Sequence, residues 1–284
     1  MKLVFLALLV VAATAYYDED RPEIFRNVSN EEISEQYLGL IWDMPPENVA
    51  WVNDVADNLP STFDARQQWG SNIGAIRQQG KCGSCWAFGA AEALADRLAI
   101  KSGSHIVLSP QDLVSCNFGY LLFDNHGCNG GRPIMAWKYM KNTGIVSDRC
   151  YPYTSGDSGD TGKCLIKNKK VCPGSGKFEV YRATSYYQVA NNVDAIKSEI
   201  MNYGPVEIGI MVYEDFITYK GPDAYKKTSA SGKQLGGHAI KMIGWGPDYW
   251  IVANSWGGDW GMKGFGHIAF GEIMIEDMVV AGHV

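Results

Sequence analysis

The stretch IRQQGKCGSCWAFGAAEALADRLAIKSG places Cys82 and Cys85 three residues apart, directly before an alanine- and leucine-rich segment. Small apolar residues recur in that segment at helical spacing, and Gly103 stands just past its end. The pattern predicts a helix from Cys85 to Ile100, with Ser84 at the N-cap position. The two cysteines could be a redox pair, half of a metal site, or a disulfide partner beside a nucleophile.

The amino terminus predicts a secreted protein. Lys2 is followed by an unbroken apolar run that ends in Ala13-Thr14-Ala15, a pattern typical of a signal peptide and its cleavage site. The run is too short to span a bilayer, and the acidic YYDED that follows argues against a buried core helix. We expect residues 1–15 to be removed, no membrane anchor elsewhere, and a location in a lysosome-like vacuole or outside the cell.

The number of cysteines then becomes informative. The sequence has seven, and cysteines in an oxidising compartment normally form disulfides. Seven is odd, so one thiol should be free and is a candidate reactive group. The C-x-x-C arrangement is not repeated, as a structural zinc site would require, and we expect no metal and no cofactor. A thiol–disulfide oxidoreductase that uses Cys82 and Cys85 is the main alternative.

Charge separates an acidic leading segment from the rest of the chain. The segment Tyr16–Asn58 holds eleven acidic and two basic residues, whereas the whole chain has a net charge of -6. This overall charge gives no reason to expect a nucleic-acid partner. Trp42 and Trp51 lie within the acidic segment. Their presence favours a segment that packs on another surface, and a bland acidic linker is the alternative.

The remaining chain predicts helices first and strands later. LSPQDLVSC and IMAWKYMKNTG have the pattern of two further short helices. From Lys177 onward, strands are predicted for FEVYRATSYYQV, PVEIGIMV, HAIKMIGWG, YWIVANSW and GFGHIAF. We therefore predict an α+β fold of two packed subdomains, with a site in the cleft between them.

His238 is the best candidate base for a cysteine nucleophile among the five histidines. If GHAIKMI and YWIVANS pair as a hairpin in which Ile243 faces Tyr249, His238 faces Asn254. An asparagine can accept the second N–H of an imidazole and fix the ring. Trp256 would share the face of Asn254 and shield that hydrogen bond from water. A purely structural strand histidine is the alternative.

Acyl transfer also needs donors for an oxyanion. A side-chain amide just before Cys85 could supply one, with the Cys85 backbone N–H as the second. Gln79 fits this role, and spacing alone does not separate it from Gln78.

Four motifs together, QGKCGSCWAFG, CNGG, GGHAIKMIGWG and NSWGGDWG, resemble the papain-type cysteine proteases, and cathepsin B in particular. The resemblance extends over essentially all of residues 59–284. It implies a papain-like fold, with a helical left subdomain and a β-barrel-like right subdomain. It also implies Cys85 as nucleophile and His238 as base, with Asn254 as orienting group and Gln79 as oxyanion donor.

The resemblance assigns further residues. Gly130 and Gly131 would hydrogen-bond the substrate backbone, and Met278 and Trp256 would also line the substrate site. The implied disulfides, which leave Cys85 free, are Cys82–Cys128, Cys116–Cys164 and Cys150–Cys172.

Two departures from cathepsin B predict a different specificity. The insertion that caps the cleft of that enzyme carries paired histidines, whereas the stretch from Cys150 to Cys164 has none. We therefore expect an open cleft and an endopeptidase. Met278 replaces a glutamate that accepts a basic P2 side chain, which predicts apolar P2 residues, although Glu276 or Asp277 could partly compensate.

These features predict a protease made as an inactive precursor. Residues 16–58 would be a propeptide that inhibits the cleft until acidification weakens its attraction, and 59–284 the mature enzyme. We expect a monomer that cleaves proteins and peptides through a thioester acyl-enzyme. A catalytically inactive binding protein on the same fold is the remaining alternative.

Overall fold

The structure is a computed structural model that describes residues 19–42, 49–118, 125–166 and 171–284. The expected signal peptide, residues 1–15, lies outside these ranges. None of the helices in the described ranges is both long and apolar enough to cross a bilayer.

Most helices lie in the first half of the described chain and most strands in the second half, with short 3-10 turns between some of them. The α-helices are α1 (Asn30–Gln36), α2 (Ala65–Trp69), α3 (Cys85–Ser102), α4 (Pro110–Cys116), α5 (Pro133–Asn142), α6 (Ser155–Ser158) and α7 (Val193–Tyr203). The strands are β1 (Ala50–Val52), β2 (Phe63–Asp64), β3 (Ile145–Val146), β4 (Val180–Tyr181), β5 (Tyr187–Val189), β6 (Val206–Tyr213), β7 (Gln234–Trp245), β8 (Tyr249–Ala253), β9 (Phe265–Ala269) and β10 (Val279–Ala281).

The central helix is α3, which is buried on nearly all sides. The predicted helix is confirmed and runs two residues further, to Ser102, where Gly103 ends it with a left-handed φ of 73°. Ser84 occupies the N-cap position, but its side chain does not cap the helix. Its hydroxyl instead forms a 2.7 Å hydrogen bond with the hydroxyl of Tyr153. The helix start is therefore tied to a neighbouring loop.

The helical subdomain forms around α3. Helices α4 and α5 pack against it, and each begins with a proline at a position where no N–H is needed. Ser109 caps α4 by accepting a hydrogen bond from the Asp112 N–H. Both helices predicted from LSPQDLVSC and IMAWKYMKNTG are confirmed.

The second subdomain is a mixed sheet with the strand order β1-β5-β10-β6-β7-β8-β9, and β2 also pairs with β7. Neighbouring strands are antiparallel except β1 and β5. Four predicted strands are confirmed as β6 to β9. The fifth prediction, FEVYRATSYYQV, is only partly right, because β4 and β5 form near its ends and the residues between them leave the strand conformation. The fold is α+β, and α3 packs against β6 and β7.

Helix α7 was not predicted from the sequence, where strands were expected throughout the second half. Asn192 begins it by accepting hydrogen bonds from the backbone N–H groups of Asp194 and Ala195. Its buried residues Ile196 and Ile200 lie four apart and pack into the core of the sheet subdomain. The helix is thus amphipathic and covers one face of the sheet.

The predicted register of the β7–β8 hairpin is wrong. Lys241 pairs with Ala253 and Trp245 pairs with Trp250, with an irregularity between Met242 and Gly244. The physical reason is a tighter turn: the Gly246 N–H donates to the Tyr249 carbonyl at 2.8 Å, so the loop is only Pro247-Asp248, whereas the predicted pairing of Ile243 with Tyr249 left five residues in it. The irregularity shifts the pairing by only one residue.

Candidate active site

Six of the seven cysteines are joined in disulfides. The pairs are those that the resemblance implies, Cys82–Cys128, Cys116–Cys164 and Cys150–Cys172. Cys85 remains as the free thiol and is fully buried at the first residue of α3. The N-terminus of a long helix carries partial positive charge, which favours a thiolate.

His238 and Asn254 meet despite the different register. The Nε2 atom of His238 lies 2.8 Å from Oδ1 of Asn254, and both side chains are fully buried. That Oδ1 also accepts the Ser255 N–H at 2.8 Å, so Nε2 must carry the proton that it shares with the asparagine. Nδ1 of His238 has no hydrogen-bond partner among the described residues and is left as the basic nitrogen. Asn254 reaches the imidazole from the position just after β8 ends.

The ring of Trp256 stacks on the His238 imidazole, with 4.5 Å between ring centroids. Trp256 is itself fully buried, so this side of the histidine is closed to water. The structure therefore places Trp256 where the sequence predicted a shield for the His238–Asn254 hydrogen bond.

Gln79 lies buried in the site, whereas Gln78 is exposed. Nε2 of Gln79 donates to the carbonyl oxygens of Tyr37 at 2.7 Å and Cys82 at 2.9 Å. Its Oε1 accepts from the hydroxyl of Ser255 at 2.7 Å, which fixes the orientation of the amide. The amide of Gln79 is thus already bonded to a peptide carbonyl.

Tyr153 holds this arrangement from the side and was missed in the sequence. Its hydroxyl donates to the backbone carbonyl of Gln79 at 2.7 Å and also bonds Ser84, which precedes Cys85. It links the oxyanion candidate to the start of α3. No local motif marks this tyrosine, because it acts across more than sixty residues of chain.

Residues 21–42, the covering segment, lie across these groups. Gly39 is pressed so closely against Gly83 that a Cβ atom on Gly39 would lie 1.9 Å from the Gly83 carbonyl oxygen. The backbone of Gly39 is close enough to the Cys85 thiol to lower its pKa, against the larger effect of burial. The segment therefore crosses the nucleophile candidate at a residue without a side chain.

Backbone hydrogen bonds attach the covering segment to both walls of the cleft. On the helical side, Gly131 donates to the Gly39 carbonyl at 2.8 Å and accepts from the Ile41 N–H at 2.9 Å. On the sheet side, the Leu40 N–H donates to the carbonyl of Gly237 at 3.1 Å. Both polar groups of the Gly131 backbone are therefore available to an extended peptide. Gly130 lies beside the same part of the covering segment, since a Cβ on Gly130 would be 2.9 Å from the Gly39 carbonyl oxygen.

The side chain of Leu40 fills an apolar pocket. It belongs to one buried cluster with Ala239 and Met278. Gly209 forms part of the wall, since a Cβ there would lie 2.8 Å from Leu40 Cδ2 and 3.3 Å from Met278 Cβ. Met278 thus lines the pocket that an extended peptide fills with a side chain.

The two acidic neighbours of Met278 are engaged elsewhere. Glu276 accepts a hydrogen bond from the Trp250 indole at 2.7 Å, in the core of the sheet subdomain. Asp277 is exposed and accepts from Asn191. Glu207 lies two residues before Gly209 on the same face of β6, but burial raises its pKa well above the usual range and so favours the uncharged form.

Burial keeps the nucleophile and base candidates neutral beneath the covering segment. It raises the pKa of the Cys85 thiol to about 11, although backbone hydrogen bonds from Ala239, Gly39 and Trp86 act in the opposite direction. It also lowers the pKa of His238 to about 4, against a smaller opposing effect of the Asn254 hydrogen bond. A thiol and a neutral imidazole are the stable forms in this state.

The outer part of the covering segment is held mainly by apolar packing. Phe25 is fully buried and packs edge-on against Trp256 at a centroid distance of 4.9 Å. Helix α1 packs on β7 through the fully buried Ile33. The ion pair between Glu32 and Lys81, at 2.8 Å, is largely exposed and contributes little.

The loop between Cys150 and Cys164 is bound to the helical subdomain. Gln111 of α4 accepts the backbone N–H groups of Thr154 and Ser155 at 2.8 and 3.0 Å, and donates to the Ser155 hydroxyl at 2.8 Å. Both cysteines are bonded to partners outside the loop. These contacts hold the Thr154–Ser155 part of the loop against the helical subdomain.

The comparisons with known proteins agree with this geometry. A family model described as papain family cysteine protease matches residues 59–283. The chain is 37% identical over 304 residues to cathepsin B-like cysteine proteinase 4 of Caenorhabditis elegans, covering 92% of this chain and 87% of that protein. It is 41% identical over 251 residues to the gut-specific cysteine proteinase of the same organism, covering 80% and 74%. The solved procathepsin B S9 of Trypanosoma congolense superimposes with a TM-score of 0.78 at 30% identity, covering 90% and 89%.

Proposed function

The chain belongs to the papain family of cysteine proteases, and we propose that it is the zymogen of an endopeptidase with Cys85 as nucleophile. The observation that carries this proposal is the Tyr37 carbonyl. It accepts a hydrogen bond from Gln79 beside the one free thiol of the chain. A substrate carbonyl held there would be polarised next to the sulfur.

In the proposed reaction, the Cys85 thiol gives its proton to Nδ1 of His238, and the thiolate attacks the carbonyl carbon of the substrate. The Gln79 amide and the Cys85 backbone N–H stabilise the oxyanion. Nδ1 then protonates the leaving amine, so that the carbon–nitrogen bond breaks and the acyl group remains on sulfur as a thioester. A water molecule, deprotonated by Nδ1, attacks the thioester and regenerates the thiol.

Asn254 and Trp256 support this cycle by holding the base. With Nε2 of His238 bonded to Asn254, only Nδ1 can exchange protons with the nucleophile and the substrate. The stacked Trp256 keeps water from competing for the asparagine.

Residues 16–58 are proposed as the propeptide and 59–284 as the mature enzyme. Hydrogen bonds from both walls of the cleft to residues 39–41 support inhibition by the segment itself. The signal-like residues 1–15 support entry into the secretory pathway, with a lysosome-like vacuole or the extracellular space as destination. The substrates are proteins and peptides, and the enzyme is proposed to act as a monomer.

An open cleft and an apolar P2 pocket complete the proposal. The loop after Cys150 lacks histidines, and its polar contacts to Gln111 bind it to the helical subdomain. Leu40 beside Met278 supports a preference for P2 leucine or phenylalanine, because a cationic side chain would find no ionised partner there. Glu207 is the residue to consider if P2 arginine is accepted.

The test is to acidify the secreted zymogen and incubate it with a defined peptide mixture, beside a Cys85→Ala control. Internal cuts after apolar P2 residues that vanish in the control are expected, as read by mass spectrometry. Persistent release of C-terminal dipeptides would contradict the open cleft. Absence of any cut by correctly processed enzyme would leave a binding protein on a protease fold.

A further inference from the structure

A second cluster of ionisable side chains lies farther along α3, on the side of the helix that faces the sheet. Nζ of Lys241, on β7, lies 2.7 Å from Oδ2 of Asp96 and 3.7 Å from Oε2 of Glu92. The side chains are 1%, 0% and 10% exposed, respectively. An acidic pair on the helix thus encloses one lysine from the sheet.

The cluster joins the two elements that carry the proposed catalytic pair. Glu92 and Asp96 follow Cys85 by seven and eleven residues, which places all three on one face of α3. Lys241 follows His238 by three residues on β7. The nucleophile helix and the base strand are therefore connected by an ion pair about 16 Å along the helix from the thiol.

A second connection lies at the thiol itself, since Cys85 belongs to one buried cluster with Ala239 of the same strand. Apolar packing also holds α3 on nearly all sides, but a polar contact at a second, separate point fixes its alignment with β7 more sharply, because hydrogen bonds and ion pairs are directional. We propose that Lys241 and Asp96 are positioning residues that hold Cys85 and His238 at the separation needed for a thiolate–imidazolium pair. This inference rests on the proposed roles of Cys85 and His238.

Stability alone does not account for such a cluster. Replacing a buried ion pair by apolar groups of similar volume is often neutral or stabilising, so its net contribution to folding is small. The remaining oxygen of Asp96 is also satisfied, since Oδ1 accepts the Gly74 N–H at 2.8 Å and lies 3.3 Å from Nε2 of His105. The carboxylate of Asp96 is thus satisfied at both oxygens and has a fixed geometry, whereas Oε1 of Glu92 has no hydrogen-bond partner among the described residues.

The experiment uses the double variant Asp96→Asn with Lys241→Met in the processed enzyme. It removes one positive and one negative charge, so the net charge of the cluster is unchanged. The rate at which iodoacetamide alkylates Cys85 is measured as a function of pH. The pH interval between the two inflections of this profile is the range in which the thiolate–imidazolium pair exists. We expect the interval to narrow by about one pKa unit, a tenfold loss of rate at its edges.

A matched control lies next to Asp96 on the same helix. Arg97 and Glu199 form an ion pair of 2.9 Å that is equally buried, with side chains 1% and 2% exposed, but Glu199 belongs to α7. The double variant Arg97→Met with Glu199→Gln also removes a buried pair without changing net charge. Its pH interval should equal that of the wild type, even if its melting temperature falls.

Each outcome decides the proposal. An unchanged interval in the folded Asp96→Asn, Lys241→Met variant overturns it, as does equal narrowing in the control. If that variant does not fold, Glu92→Gln is measured in its place. The pH interval of Glu92→Gln must then be narrower than that of the wild type, whereas the interval of Lys241→Arg must equal it. A wild-type enzyme with no reactive thiolate interval would instead refute the proposed function, which is a separate result.

Discussion

Cys85 and Asp96 are buried on the same face of α3, yet the first is held neutral and the second is held charged. Burial raises the pKa of the Cys85 thiol to about 11. Burial also opposes ionisation of Asp96, but the Lys241 ammonium and the hydrogen bonds from His105 and Gly74 outweigh it, and the pKa of Asp96 is lowered. The pKa of Lys241 is raised for the same reason, against the effect of its own burial. An opposite charge at hydrogen-bond distance therefore decides which buried groups ionise on this helix.

The difference has a direct origin in what covers each region. Near Cys85 the covering segment contributes apolar side chains and peptide groups, and the peptide groups offset only part of the cost of burying a charge. At the other end Lys241 comes from the permanent sheet. One region can change its charge state when a segment leaves, and the other cannot.

The largest effect should be on thiol reactivity. With a pKa of about 11, only about one Cys85 in ten thousand is ionised at pH 7 while the segment is in place. Alkylation of Cys85 by iodoacetamide at pH 7 should accelerate by about four orders of magnitude after processing. Mass spectrometry of the labelled peptide measures this, and equal rates before and after processing would show that the segment does not set the charge state.

Lys241→Met should have the next largest effect, because it leaves Asp96 and Glu92 buried without their cation. The free energy of unfolding at pH 7 should fall by about 3–5 kcal/mol, with most of it recovered in the double variant that also carries Asp96→Asn. The loss should shrink as the pH falls, since a protonated Asp96 needs no partner. Urea unfolding at pH 7 and pH 4.5 tests this, and equal stability of the single and double variants would contradict it.

Acid should release the covering segment through His238. Its pKa is about 4 in the covered state and near the ordinary 6.5 once exposed, so release takes up a proton between those two values. Release is therefore favoured as the pH falls through this range and gains nothing further below about pH 4. In a Cys85→Ala background, dissociation should rise by about a hundredfold from pH 7 to pH 4, as measured by fluorescence of a labelled segment.

The control for this prediction is a matched pair of variants in the same background. His238→Gln cannot take up the proton and should flatten the pH dependence. Glu32→Gln removes the exposed pair with Lys81 and should change the release by no more than about twofold. A larger effect of Glu32→Gln would mean that protonation of surface carboxylates, and not of His238, triggers release at acidic pH.

The smallest effect should come from Met278→Glu, which adds a carboxylate to a pocket that is otherwise apolar. The ratio of kcat/KM for P2 arginine over P2 leucine substrates should rise by about tenfold. The gain should increase with pH, because burial without a partner raises the pKa of the new carboxyl until the substrate supplies the charge. Met278→Gln is the control. A similar gain in the P2 arginine to leucine ratio in that variant would mean that the pocket selects for polarity and not for charge.

The local parts of the site were predictable because they depend on short-range patterns. The helix beginning at Cys85 and its end at Gly103 followed from spacing and a glycine signal. The approach of His238 to Asn254 was also predicted, although through a register that the structure does not have. It survived the error because Lys241 pairs with Ala253, two residues from the predicted partner, and a shift of two leaves His238 and Asn254 on the same face of the sheet.

Contacts between distant parts of the chain could not be derived in the same way. Nothing in the sequence separated Gln79 from Gln78, because the choice depends on which side chain the fold turns inward. The Lys241–Asp96 pair joins residues 145 positions apart. The course of the covering segment through the cleft was equally hidden, since residues 39–41 are held there by backbone groups that every residue possesses.

The burial of Cys85 beneath Gly39 also bears on how this protein acquires its covalent structure. Thiol–disulfide exchange proceeds through the thiolate, so a seventh cysteine with free access would scramble the pairing of the other six. The proximity of Cys85 to the Cys82–Cys128 bond makes that bond the first at risk. Once the covering segment is docked, the odd thiol is neutral and enclosed, and the three bonds are protected from exchange until the precursor is cut.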